Sequence, residues 1–227
     1  MAVYIELAPA SRYRVHCAVG IKLAMTKQAS RGSRAESLPA LFVPADRGQG
    51  RDLWVFAYGS LMWNPGFAFA EARPARLFGY HRAFCIWSHR YRGTPRAPGL
   101  VLGLIGGGSC AGRVYRVPAA RRAATIAKLF RREMITGVYR PMWHAARTPK
   151  GVVTALAFVA NRDHKQYAGK LPEARVAAVL GCCKGSRGKG RDYLASTVRH
   201  LDALGIDDGP LHRLLDQVDA RPRRRRK

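Results

Sequence analysis

Seven short strand-forming segments and the glycine and proline turns among them lie within residues 53–160 and limit what this chain can fold into. The turns fall at Asn64–Gly66, at Thr94–Gly99 and at Gly106–Gly108. Because these residue types end or reverse a strand, each apolar run between them predicts a separate strand. The predicted strands are Leu53–Ala57, Arg76–Tyr80, Ala83–Trp87, Leu100–Ile105, Arg113–Val117, Tyr139–Ala145 and Val152–Ala160.

Four segments have the start and stop signals of helices. They are Ala119–Met134 after Pro118, the stretch from Pro172 to Gly181, Tyr193–Leu204 with Asp192 as its N-cap, and the stretch that begins at Pro210. The first is expected to bury one face that contains Ala123, Ile126, Ala127, Phe130 and Met134. Strands with interspersed helices, and without a regular βαβ repeat, predict an α+β fold with a largely antiparallel sheet or barrel.

The charge is strongly positive and unevenly distributed. The chain has 40 Lys and Arg against 14 Asp and Glu, a formal net charge of +26, which favours anionic partners without specifying a fold. Residues 1–52 predict a basic, loosely ordered leader, residues 53–220 the folded domain, and residues 221–227 a basic disordered tail. The tail's alternative interpretation is an arm that makes weak, non-specific contact with nucleic acid or another anion.

The cysteines and histidines do not indicate a metal site. The five cysteines contain no CxxC pair, Cys182 and Cys183 are adjacent, and the histidines show no HExxH pattern. Reduced thiols in a cytoplasmic protein are therefore expected, with no metal and no cofactor. The apolar runs are too short for a membrane span, so no membrane association is expected.

Glycine-rich stretches in this chain fail the standard nucleotide-binding and hydrolase patterns. Gly103–Gly108 does not satisfy GxGxxG, Gly181–Gly190 does not satisfy GxxxxGK, and Tyr58–Leu61 does not satisfy GxSxG. No Rossmann, P-loop or serine-hydrolase site is therefore predicted.

The stretch from Leu53 to Pro65 is the first candidate for chemistry. A buried strand runs into Tyr58-Gly59-Ser60-Leu61, and Gly59 permits a positive φ and a close approach of a ligand to the main chain. Consecutive backbone N–H groups in such a turn can bind a carboxylate or a developing oxyanion. The alternative is an ordinary turn that ends a strand.

Glu133 is the second candidate. Between residues 53 and 162 the only carboxylates are Glu71 and Glu133, so few general bases are available there. Glu133 ends the first predicted helix, where the helix dipole disfavours its ionised form, and a raised pKa makes a better base near neutral pH. The alternative is an exposed Glu paired with Arg131 or Arg132. Glu71 is expected to be a solvated loop residue before a strand.

At these two places the chain resembles the ChaC-type gamma-glutamylcyclotransferases, which act on glutathione. The similar segments keep their order and spacing over residues 53–216. They are Val55–Pro65, Tyr80–Cys85, Arg92–Thr94 with Pro98-Gly99, Gly112–Val117, Arg132–Gly137 with Tyr139, Pro141 and Trp143, and Asp192–Leu194. Two departures are Ala57, in place of a glycine, and Cys182–Arg187, in place of an Ala-Ser-Gly-Pro-like stretch.

The resemblance implies a small, mixed but mainly antiparallel β-barrel with flanking helices. It also implies that Glu133 is the proton acceptor of the reaction. The substrate-binding residues that it implies are Val55, Phe56, Ala57, Tyr58, Gly59, Ser60, Leu61 and Tyr139.

The implied activity is cleavage of glutathione to 5-oxoproline and Cys-Gly, by attack of the gamma-glutamyl amine on its own gamma-carbonyl. Glu133 would act as the general base. One alternative is the same reaction on other gamma-glutamyl amines or amino acids. The other is an inactive, basic nucleic-acid-binding module on the same fold, against which Glu133 and the intact Tyr58–Leu61 turn both argue.

Overall fold

A computed structural model describes residues 51–220 of the chain. The predicted tail at 221–227, and all but the last two residues of the predicted leader at 1–52, lie outside the described residues. The strands are β1 (Leu53–Ala57), β2 (Glu71–Ser88), β3 (Gly99–Val117), β4 (Tyr139–Thr148), β5 (Gly151–Ala160), β6 (Lys184–Gly185) and β7 (Gly188–Lys189). The helices are α1 (Arg122–Glu133), α2 (Glu173–Cys182), α3 (Gly190–Asp202) and α4 (Gly209–Asp219).

Five strands close into a barrel in the order β1-β3-β2-β4-β5. The pairs in this order are antiparallel except β1 with β5, which pair in parallel through Trp54 with Ala155 and Val55 with Leu156. Strand β5 also makes one parallel pairing with β3, through Leu104 and Val159. The predicted α+β class and mainly antiparallel barrel are therefore confirmed. Because β1 and β5 run in the same direction, the residues after β1 lie beside the end of β5.

The barrel interior and the helices share one apolar core. Phe56, Leu104, Tyr115 and Phe158 are among its largest side chains and are almost completely buried. Helices α2, α3 and α4 pack on one another, and α2 and α3 also contact β3. Within residues 51–220, no helix is long and apolar enough to cross a lipid bilayer.

Four of the predicted short strands merge into two long strands, β2 and β3. The segments at 76–80 and 83–87 are parts of β2, and those at 100–105 and 113–117 are parts of β3. Gly106–Gly108 is therefore not the predicted turn. Gly107 and Gly108 have positive φ, and the register passes from Phe78–Ser109 to Tyr80–Gly106, which leaves one extra residue in β3. The glycines form a bulge that bends the strand without reversing it.

The predicted helices need two corrections. Helix α3 begins at Gly190 with Lys189 as its N-cap, so Asp192 lies within its first turn and is not the cap. Helix α1 begins only after a 3₁₀ turn at 119–121, and of its predicted buried face Ala123 is exposed, whereas Ile126 is buried and Phe130 and Met134 pack on the core. The start at Pro210 is confirmed, with the Asp208 side chain accepting from the Leu211 amide.

Glu71 is not the solvated loop residue that the sequence predicts. It begins β2, and its carboxylate pairs with Arg73 at 2.5 Å, with Arg116 at 3.2 Å and with Lys150 at 3.6 Å. The Arg73 hydrogen bond is the largest cause that lowers the pKa of Glu71 to about 2. Asp52 accepts from Arg116 at 2.6 Å as well, so the two carboxylates form a surface network at the start of the barrel.

The contact between β1 and β3 depends on Gly112. A Cβ at this position would lie 2.3 Å from the carbonyl oxygen of Ala57, a backbone atom that cannot move independently of the strand. We therefore expect Gly112→Ala to lower the free energy of unfolding by about 1–3 kcal/mol, the usual cost of overpacking. Thermal unfolding should show a lower Tm, by roughly 2–4 °C for each kcal/mol.

Gly106→Ala is the matched control in the same strand. A Cβ at Gly106 has no atom within 4 Å, and Gly106 is not among the glycines with positive φ. Its Tm should stay close to that of the parent chain. Equal Tm values for the two variants would contradict the role given to Gly112.

Candidate active site

A narrow cavity lies where the turn after β1, the end of α1 and the start of α3 meet. It is lined by Tyr58, Gly59, Ser60, Leu61, Leu102, Glu133, Tyr139, Phe158 and Tyr193. The cavity thus brings together both candidates from the sequence, the turn at 58–61 and the carboxyl group of Glu133. It also contains Tyr139, which the sequence resemblance implied.

The turn after β1 is a single 3₁₀ turn, Ser60–Met62. The Met62 amide donates to the Gly59 carbonyl at 2.8 Å, and the Asn64 amide donates to the Ser60 carbonyl at 2.9 Å. The N–H groups that begin such a turn have no acceptor within it. The amides of Ser60 and Leu61 therefore have no acceptor within the turn, and both residues line the cavity.

Gly59 has a φ of −139°, so the positive φ that the sequence suggested is not used. The close approach is real, because a Cβ on Gly59 would lie 3.1 Å from the Tyr193 hydroxyl oxygen. That contact is tighter than side chains normally make. Glycine is needed here to leave room for the tyrosine that packs against the turn.

Three of the implied binding residues do not line the cavity. Val55, Phe56 and Ala57 are completely buried in β1 and belong to the barrel core. The part of the predicted loop that reaches the cavity is thus 58–61. The methyl group of Ala57, the departure from the family pattern, lies within the core.

Glu133 is the last residue of α1, and its side chain is only 17% exposed. Burial raises its pKa, and the nearby guanidinium groups of Arg132 and Arg187 offset part of that rise. Burial is the largest cause of the raised pKa, an effect that the position of Glu133 at a helix end did not reveal from the sequence. The ion pair also forms, with Arg132 Nε 3.0 Å from Glu133 Oε1.

Arg132 connects Glu133 to the turn. Its Nη2 donates to Ser60 Oγ at 3.0 Å, and its Nη1 donates to the Asn64 carbonyl at 2.5 Å. One guanidinium group thus holds the carboxylate of α1 and the turn after β1 in a fixed relation. Sequence reasoning placed Arg132 beside Glu133 but did not assign it this connection.

Three tyrosines line the cavity with the carboxyl group: Tyr58 and Tyr193, which are buried, and Tyr139, which is half-buried. The Tyr58 hydroxyl donates to the Phe158 carbonyl and the Tyr139 hydroxyl donates to the Leu102 carbonyl, both at 2.7 Å. Burial raises the pKa of Tyr58 and Tyr139 well above the usual value and that of Tyr193 to about 12. All three hydroxyls therefore stay protonated near neutral pH.

Tyr193, Leu102 and Phe158 were not predicted as site residues. Tyr193 lies in a segment that carried the resemblance, Asp192–Leu194, but nothing in the sequence pattern assigned it a role. Leu102 and Phe158 look like ordinary strand residues. Only the closure of the barrel brings them to the cavity.

Arg82 holds the turn from the other side. Its Nη1 donates to the Tyr58 carbonyl at 2.7 Å, and its Nε lies 3.0 Å from Asp208 Oδ2. The side chain of Arg82 is 4% exposed, so this is a buried ion pair. Removal of either partner would leave a buried charge uncompensated.

A metal-binding group is not apparent in the part of the chain that the structure describes. Residues 51–220 contain no cluster of three or more His, Cys, Asp or Glu side chains arranged to hold an ion.

Comparison with known proteins identifies the family. The model of the ChaC-like protein family matches residues 53–221, most of the chain. The chain belongs to the ChaC-like family. It is 37% identical over 186 residues to a glutathione-specific gamma-glutamylcyclotransferase of Escherichia coli K12, an alignment that covers 82% of this chain and 80% of that relative.

Two further ChaC-like comparisons agree. A glutathione-specific gamma-glutamylcyclotransferase 1 of Rattus norvegicus is 31% identical over 178 residues, covering 75% of this chain and 80% of the relative. The crystal structure of a gamma-glutamyl cyclotransferase specific to glutathione from yeast superposes with a TM-score of 0.69 at 21% identity. It covers 74% of this chain and 96% of the yeast chain. The predicted fold is thereby confirmed.

The contact between Arg132 and Glu133 predicts how the carboxyl group of this ChaC-like chain titrates. The guanidinium lowers the pKa of Glu133 against the larger effect of burial. Arg132→Met should therefore raise the pKa of Glu133, so that its carboxylate takes up a proton at higher pH. The shift is measurable by carbon NMR of the labelled glutamate side chains.

Arg131→Met is the control for this titration. Arg131 neighbours Arg132, is exposed and is not among the groups that perturb Glu133. Its replacement removes the same charge and should leave the titration of Glu133 nearly unchanged. A Glu133 titration that is the same in both variants would show that the ion pair does not act on the carboxyl group.

Proposed function

We propose that this chain is a glutathione-specific gamma-glutamylcyclotransferase that releases 5-oxoproline and Cys-Gly. The observation that carries the proposal is a buried carboxyl group with a raised pKa, Glu133, which faces the turn at 58–61 in one cavity. The relatives named as glutathione-specific gamma-glutamylcyclotransferases, from bacterium to mammal, support the same substrate.

The reaction is an internal aminolysis. The gamma-glutamyl amine attacks its own gamma-carbonyl, a C–N bond forms to close a five-membered lactam, and the peptide C–N bond to cysteine breaks. The proton lost by the amine is gained by the leaving nitrogen. Glutathione therefore yields 5-oxoproline and Cys-Gly without consuming water, and the chemistry calls for no metal or cofactor.

Glu133 is proposed to transfer that proton. Its carboxylate accepts a proton from the substrate ammonium, which frees the lone pair for attack, and returns the proton to the leaving amide nitrogen. Burial supports this role, because a raised pKa brings a carboxylate closer to the operating pH. The base must be ionised, so activity is expected to fall as the pH drops through the raised pKa.

The turn at 58–61 is proposed to bind negative charge. The amides of Ser60 and Leu61 have no acceptor within their 3₁₀ turn and can donate to the glutamyl carboxylate or to the oxyanion. The hydroxyls of Tyr58 and Tyr139 already donate to backbone carbonyls. The tyrosines therefore shape the cavity and keep the glutamyl group folded back, which lowers the entropic part of the barrier.

The location and extent of the enzyme are also proposals. We place it in the cytoplasm, because the cysteines within 51–220 are free thiols, as a reducing compartment would keep them. We place the reaction in residues 53–220. The basic tail is proposed to make only weak, salt-dependent contacts with anions.

Glu133→Gln is the central test. The substitution keeps the size of the side chain but removes the proton acceptor, so kcat should fall by about 10²–10⁴-fold. KM should change less, because the turn at 58–61 still holds the glutamyl group. The measurements are release of 5-oxoproline from glutathione and the thermal midpoint. A folded variant with near-normal turnover would show that Glu133 is not the base.

Glu71→Gln is the matched control. It removes the only other carboxylate between residues 53 and 162, but one that pairs with arginines and a lysine outside the cavity. This variant should keep most of its kcat and lose some thermal stability. A loss of kcat equal to that of Glu133→Gln would overturn the assignment of the base.

A deletion that ends the chain at Ala220 tests the extent of the domain. Helix α4 ends at Asp219, and residues 221–227 contain no apolar side chain that could pack on it. The shortened chain should retain cyclotransferase activity at matched ionic strength. A fall in kcat comparable to that of Glu133→Gln would mean that the tail takes part in the reaction.

A further inference from the structure

Three arginines lie together beside the cavity and form what we call the arginine cluster: Arg90, Arg92 and Arg187. The guanidinium groups of Arg187 and Arg90 stack on the ring of Tyr91, with Cζ 4.4 Å and 5.7 Å from its centre. The guanidinium of Arg92 lies 4.9 Å from the ring centre of Tyr193, which lines the cavity.

The β6–β7 hairpin holds this cluster together. The Ser186 amide donates to the Arg90 carbonyl and the Arg187 amide to the Tyr91 carbonyl, both at 2.9 Å. Arg92 Nη1 donates in return to the Lys189 carbonyl at 3.2 Å. The hairpin and the segment after β2 are therefore hydrogen-bonded along their length, and the guanidinium groups are presented from a fixed frame.

Among the described residues, no carboxylate forms an ion pair with the cluster, although Asp192 lies near enough to favour the charged form of Arg92. Across residues 51–220, no Asp or Glu oxygen lies within 4.0 Å of these three guanidinium groups, whereas Arg73, Arg116, Arg132 and Arg191 all have such partners. Guanidinium groups that are held close together repel one another. An arrangement of this kind is compensated when an anion binds between them.

The cluster also interacts electrostatically with the candidate active site. Arg187 lowers the pKa of Glu133, and it lowers the pKa of Arg92, for which burial is the larger cause. The cluster therefore lies beside the cavity, next to Tyr193, and none of its three arginines lines the cavity. A peptide whose gamma-glutamyl end occupies the cavity would extend past this point.

We propose that Arg92 and Arg187 bind the C-terminal carboxylate of the peptide whose gamma-glutamyl end reacts in the cavity. This inference rests on the proposed function and names what selects the other end of the substrate. Two extended residues span about 7 Å. A Cys-Gly segment is therefore long enough to pass one side chain such as Tyr193. A planar guanidinium also suits a carboxylate better than a lysine ammonium does.

The test compares two peptides that differ only in this charge. Glutathione has a free glycyl carboxylate, whereas gamma-glutamyl-cysteinyl-glycinamide has a neutral amide of the same shape. The parent chain should use glutathione with a kcat/KM about 10–100-fold higher, the range of one or two charge-assisted hydrogen bonds. The difference should lie mainly in KM, because this contact is made before and during the reaction alike.

In Arg187→Gln, the ratio of kcat/KM for glutathione to kcat/KM for the amide should fall towards one. The kcat/KM for glutathione should fall much more than that for the amide. Lys184→Gln is the matched control, since it removes one positive charge from the same hairpin, and it should keep the preference of the parent chain. Arg187→Lys should lie between the two, because it keeps the charge but not the planar fork.

Three results would overturn the proposal. They are equal use of both peptides by the parent chain, an equal loss on both peptides in Arg187→Gln, and a loss in Lys184→Gln as large as that in Arg187→Gln. The second would mean that Arg187 acts through Glu133 alone. The third would mean that only the general positive charge matters.

The proposed function can fail separately. If the parent chain releases no 5-oxoproline from either peptide, the reaction is wrong, and calorimetric titration with the same two peptides still tests the subsite. Tighter binding of glutathione than of its amide, lost in Arg187→Gln, would support the carboxylate site. Equal or absent binding would overturn it.

Discussion

The ion pair between Arg132 and Glu133 is the interaction on which the candidate active site depends. A carboxylate at the end of α1 is removed from water among tyrosines, and its ionised form would be costly without a partner. Arg132 supplies that partner at 3.0 Å and uses its other nitrogens on Ser60 and Asn64. The compensation of one buried charge thus also sets the distance between the proposed base and the turn that faces it.

Barrel closure brings the turn to that position. The parallel pairing of β1 with β5 places Tyr58, just after β1, beside Phe158, whose carbonyl accepts from its hydroxyl. From the opposite side Arg82 donates to the Tyr58 carbonyl while it pairs with Asp208, before α4. The turn is therefore fixed by a strand, by a buried side chain and by the start of the last helix. A rigid frame of this kind suits a reaction that needs a folded-back substrate.

How far the sequence predicts this site depends on the range of the interactions. The strand β1, the turn after it and Glu133 at a helix end follow from local patterns, and Tyr139 from resemblance. Leu102 and Phe158 could not be predicted, because strand periodicity places a residue in the core without saying which core residues meet at a cavity. The Gly106–Gly108 bulge was missed for a related reason: glycines predict a change of direction, but pairing with β2 decides whether the strand turns or bends.

The distribution of carboxylates leaves a local excess of positive charge beside the cavity. Glu71 is fully engaged by two arginines and a lysine at the start of β2, with its pKa lowered to about 2, so it cannot neutralise arginines elsewhere. Glu133 is the other carboxylate of the region, and Arg132 engages it. Within residues 51–220, Arg92 and Arg187 form no ion pair with a carboxylate: both contact aromatic rings, Arg92 also donates to the Lys189 carbonyl, and Asp192 acts on Arg92 only from beyond ion-pair distance. Positive charge therefore accumulates beside the cavity, where the proposed site would bind a peptide carboxylate.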